Sequence, residues 1–310
     1  MAAARFRPIF LHPRYWLQWL GFALLWLLSQ LPYAALLKLG RALGALVYRV
    51  AHSRRKIVQR NLELCFPELN PKQREQLAKE NFASTGIAVF EMAISWFWPL
   101  SRLRKLGRIE GLEHLKQAQQ QGQGVILMAA HFTTLEIGAA LLGGQHSIDG
   151  MYRTHKNPLF DWLQRNGRER HNAQSLAIER EDVRGALRLL RQGRALWYAP
   201  DQDYGRKHSL FVPLFGVTAA TVTATSSFAR LGKARVLPFT QERLEGGSGY
   251  RLVVHPPFED FPGASEEADC LRINQWLEAV IREHPEQYLW AHRRFKTRPE
   301  GEPSLYKKET

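Results

Sequence analysis

His131 and Glu136 are the residues in this 310-residue chain whose types and spacing suggest chemistry. They lie in AAHFTTLE, residues 129–136, directly after the apolar run GVILMAA. An imidazole can take a proton near neutral pH, and a carboxylate held against it fixes one tautomer and stabilises the imidazolium that forms. On a regular helix, positions five residues apart are about 140° apart around the axis, which is poor geometry for contact. The pair works when His131 lies in a loop and Glu136 in the first turn of the helix that follows. A purely structural alternative stands beside this, because Thr133-Thr134-Leu135-Glu136 has the T-x-x-E pattern in which the glutamate bonds the backbone at a helix start. The spacing recurs at His255 and Asp260, in HPPFED, where two prolines exclude a helix start of the same kind.

The motifs that are missing narrow the chemistry. The chain has no G-x-S-x-G elbow, no H-E-x-x-H, no P-loop and no G-x-G-x-x-G. Its two cysteines, Cys65 and Cys270, are far apart and belong to no Cys/His pattern, so no disulfide framework, metal site or thiol nucleophile is expected, and a reducing compartment fits. A histidine base without a protein nucleophile suits direct attack by a substrate hydroxyl on an already activated acyl group, which means acyl transfer from a thioester.

The elements that must position this pair alternate from residue 107 onward. GVILMAA reads as a continuously apolar, buried strand. TTLEIGAALLGG reads as a helix, SIDGMYR as a strand, PLFDWLQRNGRER and EDVRGALRLLRQG as helices, and ALWYAPD as a strand. ARVLPFTQERL and GYRLVVHPPF flank the turn-like EGGS as a hairpin, and EEADCLRINQWLEAVIREHPEQY is a long helix broken at Pro285. The pattern predicts an α/β fold with a mainly parallel central sheet flanked by helices, and a site at the carboxyl edge of the strands, where His131 falls.

Ahead of this region, residues 15–37 carry no charge. The part before Pro32 would make a helix of about 26 Å, marginal for a hydrocarbon core of roughly 30 Å. Trp16, Trp19, Trp26 and Tyr33 are types that settle at headgroup level. We expect an N-terminal membrane-anchor helix in preference to a cleaved signal peptide or a buried soluble helix, since the run is long, Trp-rich and followed by Pro-Tyr. Residues 34–50 read as an amphipathic helix with a basic face, and residues 71–98 as a helix that starts at Pro71 and ends in the aromatic SWFWP, read either as core or as a second interfacial contact. The expected organisation is an anchor and interfacial helix over 1–45 and a catalytic α/β domain over 46–310. Lys38, Arg41, Arg49, Arg54, Arg55, Lys56 and Arg60 follow the apolar run, against Arg5, Arg7 and Arg14 before it, which places the bulk of the chain on the cytoplasmic face.

Lys and Arg number 43 against 29 Asp and Glu, a net charge of +14, so the partners should be anionic. No helix-turn-helix, RNP-like aromatic motif or zinc finger accompanies the charge, and no nucleic-acid partner is expected.

Several longer stretches carry a family resemblance: LHPRYWLQWLG at 11–21, KIVQRNLELCFPE at 56–68, SWFWP at 95–99, HFTTLE at 131–136, YRTHKNPLFDWLQ at 152–164, WYAPDQDYG at 197–205, FVPLFG at 211–216 and PEQYLWAHRRFKTRPEG at 285–301. Over nearly its whole length the chain resembles the lauroyl-type, HtrB-like late acyltransferases of bacterial lipid A biosynthesis, within the lysophospholipid acyltransferase superfamily. The resemblance implies a glycerolipid acyltransferase-like fold at the bacterial inner membrane. It implies an acidic acyl carrier protein as donor, whose phosphopantetheine thioester is the only prosthetic group involved, and a phosphorylated, Kdo-bearing lipid A precursor as acceptor, esterified on a 3-hydroxyacyl hydroxyl. His131 would be the general base and Glu136 its orienting carboxylate. Arg168 and Asp201 match positions implicated in activity, with Asp201 positioning Arg168 or a substrate hydroxyl. Arg153, with Lys156 and Asn157, occupies the region of anion-binding residues, and Arg293, Arg294, Lys296 and Arg298 form a further basic run facing phosphate, Kdo carboxylates or the carrier protein. A lysophospholipid or glycerophosphate acyltransferase is the nearest alternative, disfavoured because the superfamily's commonest partner to the histidine is Asp, whereas this chain has Glu136.

Overall fold

The computed structural model describes residues 6–306; Arg5 and the outer ends of the two expected units lie outside the described residues. Two short 3-10 turns, Pro8–Leu11 and Pro13–Tyr15, lead into α1 (Trp16–Ser29), followed by α2 (Tyr33–Val50), α3 (His52–Cys65), α4 (Pro71–Phe97) and α5 (Leu100–Leu103). The uncharged run is therefore cut in two. The first helix ends at Ser29, shortly before Pro32, which is extended at φ −56° and ψ 143°. The 14 residues of α1 rise about 21 Å, short of a hydrocarbon core of roughly 30 Å. Among the described residues no helix is long and apolar enough to cross a membrane. This corrects the expected transmembrane helix.

Leu36, Leu37, Gly40 and Gly44 of α2 are buried while Lys38, Arg41 and Arg49 are exposed, the amphipathic division expected for residues 34–50. The helix continues through residue 45 and lies against α4 almost backbone to backbone. A β-carbon on Gly44 would stand 2.2 Å from the Phe82 carbonyl oxygen, and one on Gly86 2.1 Å from that of Gly40. A complete capping box, Asn70 with Gln73, opens α4. At its other end Trp96 and Trp98 are buried, so these two aromatics of SWFWP are core, while Phe97 is half-buried.

The α/β region runs β1 (Gly107–Glu110), α6 (Leu112–Gln120), β2 (Gly124–Met128), α7 (Leu135–Gly143), β3 (Ile148–Tyr152), α8 (Pro158–Glu169), β4 (Ala177–Glu179), α9 (Val183–Arg191) and β5 (Ala195–Tyr198). It continues through β6 (Ser209–Leu214), β7 (Val217–Val222), α10 (Ala224–Gly232), β8 (Ala234–Arg243), β9 (Tyr250–Val254) and α11 (Glu266–Glu283). The seven-stranded sheet has the order β1-β9-β8-β2-β5-β3-β4. Its neighbours are parallel except for the β8–β9 hairpin, which pairs antiparallel from Phe239↔Val254 to Arg243↔Tyr250. The predicted mainly parallel α/β sheet and its hairpin are both present. A separate antiparallel pair, β6 with β7, and helix α10 had no counterpart in the sequence-based expectation. Every residue of β2 is buried, with Val125 and Leu127 facing a core shared with α6 and α7, and Ile126 and Met128 facing one shared with α9 and α10.

Candidate functional site

The site follows from strand register. β2 and β5 are parallel neighbours with Met128 beside Tyr198, and the Ala129 N–H donates to the Tyr198 carbonyl at 2.9 Å. Three residues beyond each of these positions stand His131 and Asp201, so two strands that end level deliver them side by side. The His131 ring Nδ1 lies 2.6 Å from Asp201 Oδ1, and the His131 backbone N–H donates to Oδ2 at 2.9 Å. One carboxylate thus fixes both the loop and the ring.

The electrostatics of the pair follow from this contact. Burial opposes the imidazolium, but the Asp201 charge and hydrogen bond outweigh both burial and the repulsion of Arg168, and the His131 pKa stands above its ordinary 6.5. Burial also works against the Asp201 carboxylate, yet His131, aided by the Tyr288 hydroxyl, holds its pKa below the usual 3.8. With Asp201 ionised, Nδ1 carries the proton and donates it, leaving Nε2 as the acceptor. The ring is 22% exposed while Asp201 is 1% exposed, so only the histidine reaches solvent.

The expected partnership of His131 with Glu136 is replaced by another. Glu136 sits in the first turn of α7, as predicted, but its carboxylate receives Arg168 of α8 through Nε (3.1 and 3.3 Å) and Nη2, and the Trp96 indole N–H at 3.1 Å. Burial would weaken the Arg168 cation; the Glu136 charge more than offsets it and raises its pKa. Asp201, expected to position Arg168 or a substrate, positions His131 instead. Sequence distance misleads here, because β5 lies beside β2 in space while being about seventy residues away in the chain. The T-x-x-E capping box is likewise not formed. Thr134 caps α7 without a side-chain bond, Thr133 Oγ1 pairs with Ser84 Oγ at 2.7 Å, and the Thr134 hydroxyl donates to the Gln241 carbonyl at 3.1 Å.

A cavity of about 890 Å³ opens at this edge, bordered by His131, Arg168, Trp197, Arg153, Arg180 and His208 together with apolar side chains. Such a volume suits a sizeable, mostly apolar ligand. Arg153 and His208 are exposed at its rim, and Lys156, Arg206 and Lys207 are exposed but do not line it. Other expected binding residues have different work. The Asn157 side chain accepts from the Leu159 and Phe160 N–H groups and caps α8. Arg294 is 2% exposed and donates to the Ala220 carbonyl at 2.7 Å, tying the C-terminal segment to β7, which corrects its assignment to an anion-facing surface. The Arg293 guanidinium lies 6.0 Å from the Tyr306 ring, and Lys296 is exposed. Cys65 and Cys270 are buried, and burial pushes the Cys270 thiol up to about 12, far from a thiolate nucleophile. Among the described residues no group of His, Cys, Asp and Glu could hold a metal ion.

Residues the sequence did not single out hold the site in place. Leu289 N–H donates to the His131 carbonyl and Thr133 N–H to that of Gln287, so residues 287–289 pair with the histidine loop. That segment is in turn gripped by two buried asparagines. Asn81 donates to the carbonyls of Glu286 and Tyr288, and Asn61 to those of Trp290 and His292, at 2.7–3.0 Å. Asparagine in the middle of otherwise apolar helix faces, as in QRNLELC and KENFAS, is the signal that could have pointed to them.

The family model for bacterial lipid A biosynthesis acyltransferases matches residues 3–297 of this chain. A lipid A biosynthesis lauroyltransferase of Escherichia coli (strain K12) is 46% identical over 303 residues, spanning 97% of this chain and 98% of its own length. A palmitoleoyltransferase of the same organism matches with the same identity and coverage. A myristoyltransferase of that organism is 31% identical over 98% of this chain and 94% of its own length.

Proposed function

Since the chain belongs to the bacterial lipid A biosynthesis acyltransferases, and is therefore an enzyme that forms acyl esters, we propose that it moves a fatty acyl chain from acyl carrier protein to a 3-hydroxyacyl hydroxyl of a Kdo-bearing tetra-acylated lipid A precursor, with His131 as the general base. The observation that carries this is the Asp201–His131 pair at the mouth of the cavity, with no nucleophilic thiol at hand. His131 Nε2 removes the hydroxyl proton as the oxygen attacks the thioester carbonyl. Arg168, held rigid by Glu136, faces the cavity with its positive charge and stabilises the developing oxyanion. Collapse of the tetrahedral intermediate breaks the carbon–sulfur bond, and the imidazolium returns its proton to the departing thiolate. No covalent intermediate with the enzyme is needed. A surface of charge +14 complements an acidic carrier protein and a phosphorylated lipid. Relatives of equal identity are named for lauroyl and for palmitoleoyl chains, so overall similarity does not choose the chain length.

The lipid acceptor implies a membrane surface. Trp16, Leu17, Leu20, Leu24 and Leu27 of α1 are each more than half exposed, joined by Leu11 at 63%. This face enters one leaflet, in the manner of an interfacial helix, and holds the enzyme at the inner membrane with its sheet on the cytoplasmic side. Leu17→Asp combined with Leu20→Asp is expected to release the protein from anionic vesicles in a flotation assay. Undiminished flotation would reject α1 as the anchor.

The direct test is transfer from carrier proteins loaded with chains of ten to sixteen carbons to the purified precursor. His131→Ala should fall by about 10²–10⁴-fold while keeping its melting temperature. Transfer at the wild-type rate by a folded His131→Ala enzyme would remove the histidine from the chemistry.

A further inference from the structure

The cavity has two unlike halves, one lined by α7 and the other by α9 and α10. The half beside α9 and α10 is open, since Val183 and Leu231, which line it, are 46% and 51% exposed. The half beneath α7 follows that helix inward. Leu135, Ala139, Leu142 and Gly143 fall on one helical face and carry it about 12 Å from the His131 end. Its sheet wall is Trp197 of β5 with Gly150 of β3 beside it in register.

Two of the lining positions are glycines without a backbone reason to be glycine. Gly143 and Gly150 both lack a positive φ, and a β-carbon on either would meet no atom within 4 Å. Other glycines are explained by close approach, as at Gly44 and Gly86, or by left-handed backbone, as at Gly111, while Gly21, which also has open space around it, is exposed on α1 and lines no cavity. Within a strand, glycine costs stability unless something must come close to it. At Gly150 and Gly143 the only thing a side chain would remove is cavity volume.

We propose, resting on the acyl-transfer function above, that the transferred chain lies in the half beneath α7 and that Gly150 and Gly143 are the specificity-determining residues that set the longest chain accepted. A side chain at Gly150 or Gly143 would occupy space that each further methylene needs, and one methylene changes discrimination by about 10-fold or more. The half beside α9 and α10 is bordered by the exposed Val183 and Leu231 and imposes no such limit.

The experiment uses the full chain with carrier proteins bearing even-numbered saturated chains from octanoyl to hexadecanoyl. Gly150→Val is expected to raise the ratio of kcat/KM for chains two to four carbons shorter over the wild-type optimum by about 10-fold or more, with the shorter chain still transferred. Gly143→Leu should do the same independently, which covers the case in which one variant folds poorly. Leu231→Trp, in the open half, should leave the length preference unchanged. A preference unmoved in both glycine variants, or moved by Leu231→Trp alone, overturns the assignment. A diazirine-bearing fatty acid gives a readout independent of transfer. Photolabel on α7 and β3 supports the channel even if carrier proteins prove not to be donors, and label confined to α9 and α10 rejects it.

Discussion

Asp201→Asn should lower kcat/KM by about 10²–10⁴-fold and move its acid limb to lower pH. In the native chain Nδ1–H donates to the carboxylate at 2.6 Å, which leaves Nε2 unprotonated and facing the cavity. An asparagine amide can instead donate to Nδ1, which puts the ring proton on Nε2 and leaves no base. The pH effect has a definite sign. Asp201 raises the His131 pKa above 6.5 against the pull of burial, so the base form is lost as pH falls through a value above 6.5. Without the carboxylate the pKa drops and the base form persists to lower pH. Glu136→Gln is the comparison that matters: it should reduce rate by loosening Arg168 while leaving the acid limb in place. If the limb moves in Glu136→Gln and not in Asp201→Asn, the pairing described here is wrong.

The second large effect is on stability. Glu91 is 1% exposed and accepts from Arg243 Nε at 2.6 Å, Arg243 Nη2 at 2.8 Å and the Tyr250 hydroxyl at 2.7 Å. Burial opposes the Arg243 cation, and Glu91 more than restores it. Glu91→Ala leaves a guanidinium buried without its counter-charge and should cost about 3–5 kcal/mol, read from denaturant unfolding in detergent. Replacing both charges together by apolar residues, as in Glu91→Leu with Arg243→Met, should cost less than the single change. A single-variant loss under about 1 kcal/mol, as for an exposed pair, would show that the network is solvated. Arg243 also donates to Ser84 Oγ, which bonds Thr133 Oγ1 in the histidine loop, so the lesion reaches the site.

The predicted strands and helices between residues 124 and 198 are all in place because their signals are local: apolar runs for buried strands, helical periodicity between them, and prolines and glycines at the ends. The location of His131 at a strand end was legible for the same reason. Its partner was not. Glu136 is near in sequence and Asp201 near in space, and only the β2–β5 register, which one strand cannot announce about another, distinguishes them. The apolar run at 15–37 misled in a different way. Composition measured its hydrophobicity correctly, while Pro32 decided that it folds as two helices, one of which packs into the protein through glycines. Arg294 sat in a basic run that read as surface, and only the tertiary fold buries it against β7.

The pairing of residues 287–289 with the histidine loop also bears on synthesis. Asn61 lies 229 residues before the Trp290 carbonyl it binds. A chain leaving the ribosome forms β2, and with it His131, long before the segment that braces its loop has been made. Contacts of such long sequence separation form late, after the local elements they join. The nascent protein thus carries His131 on an unbraced loop while the sheet is being built, and gains the brace only when Tyr288 and Trp290 close against α3 and α4. A chain released early would retain His131 and Asp201 and lack the backbone pairing that braces the histidine loop.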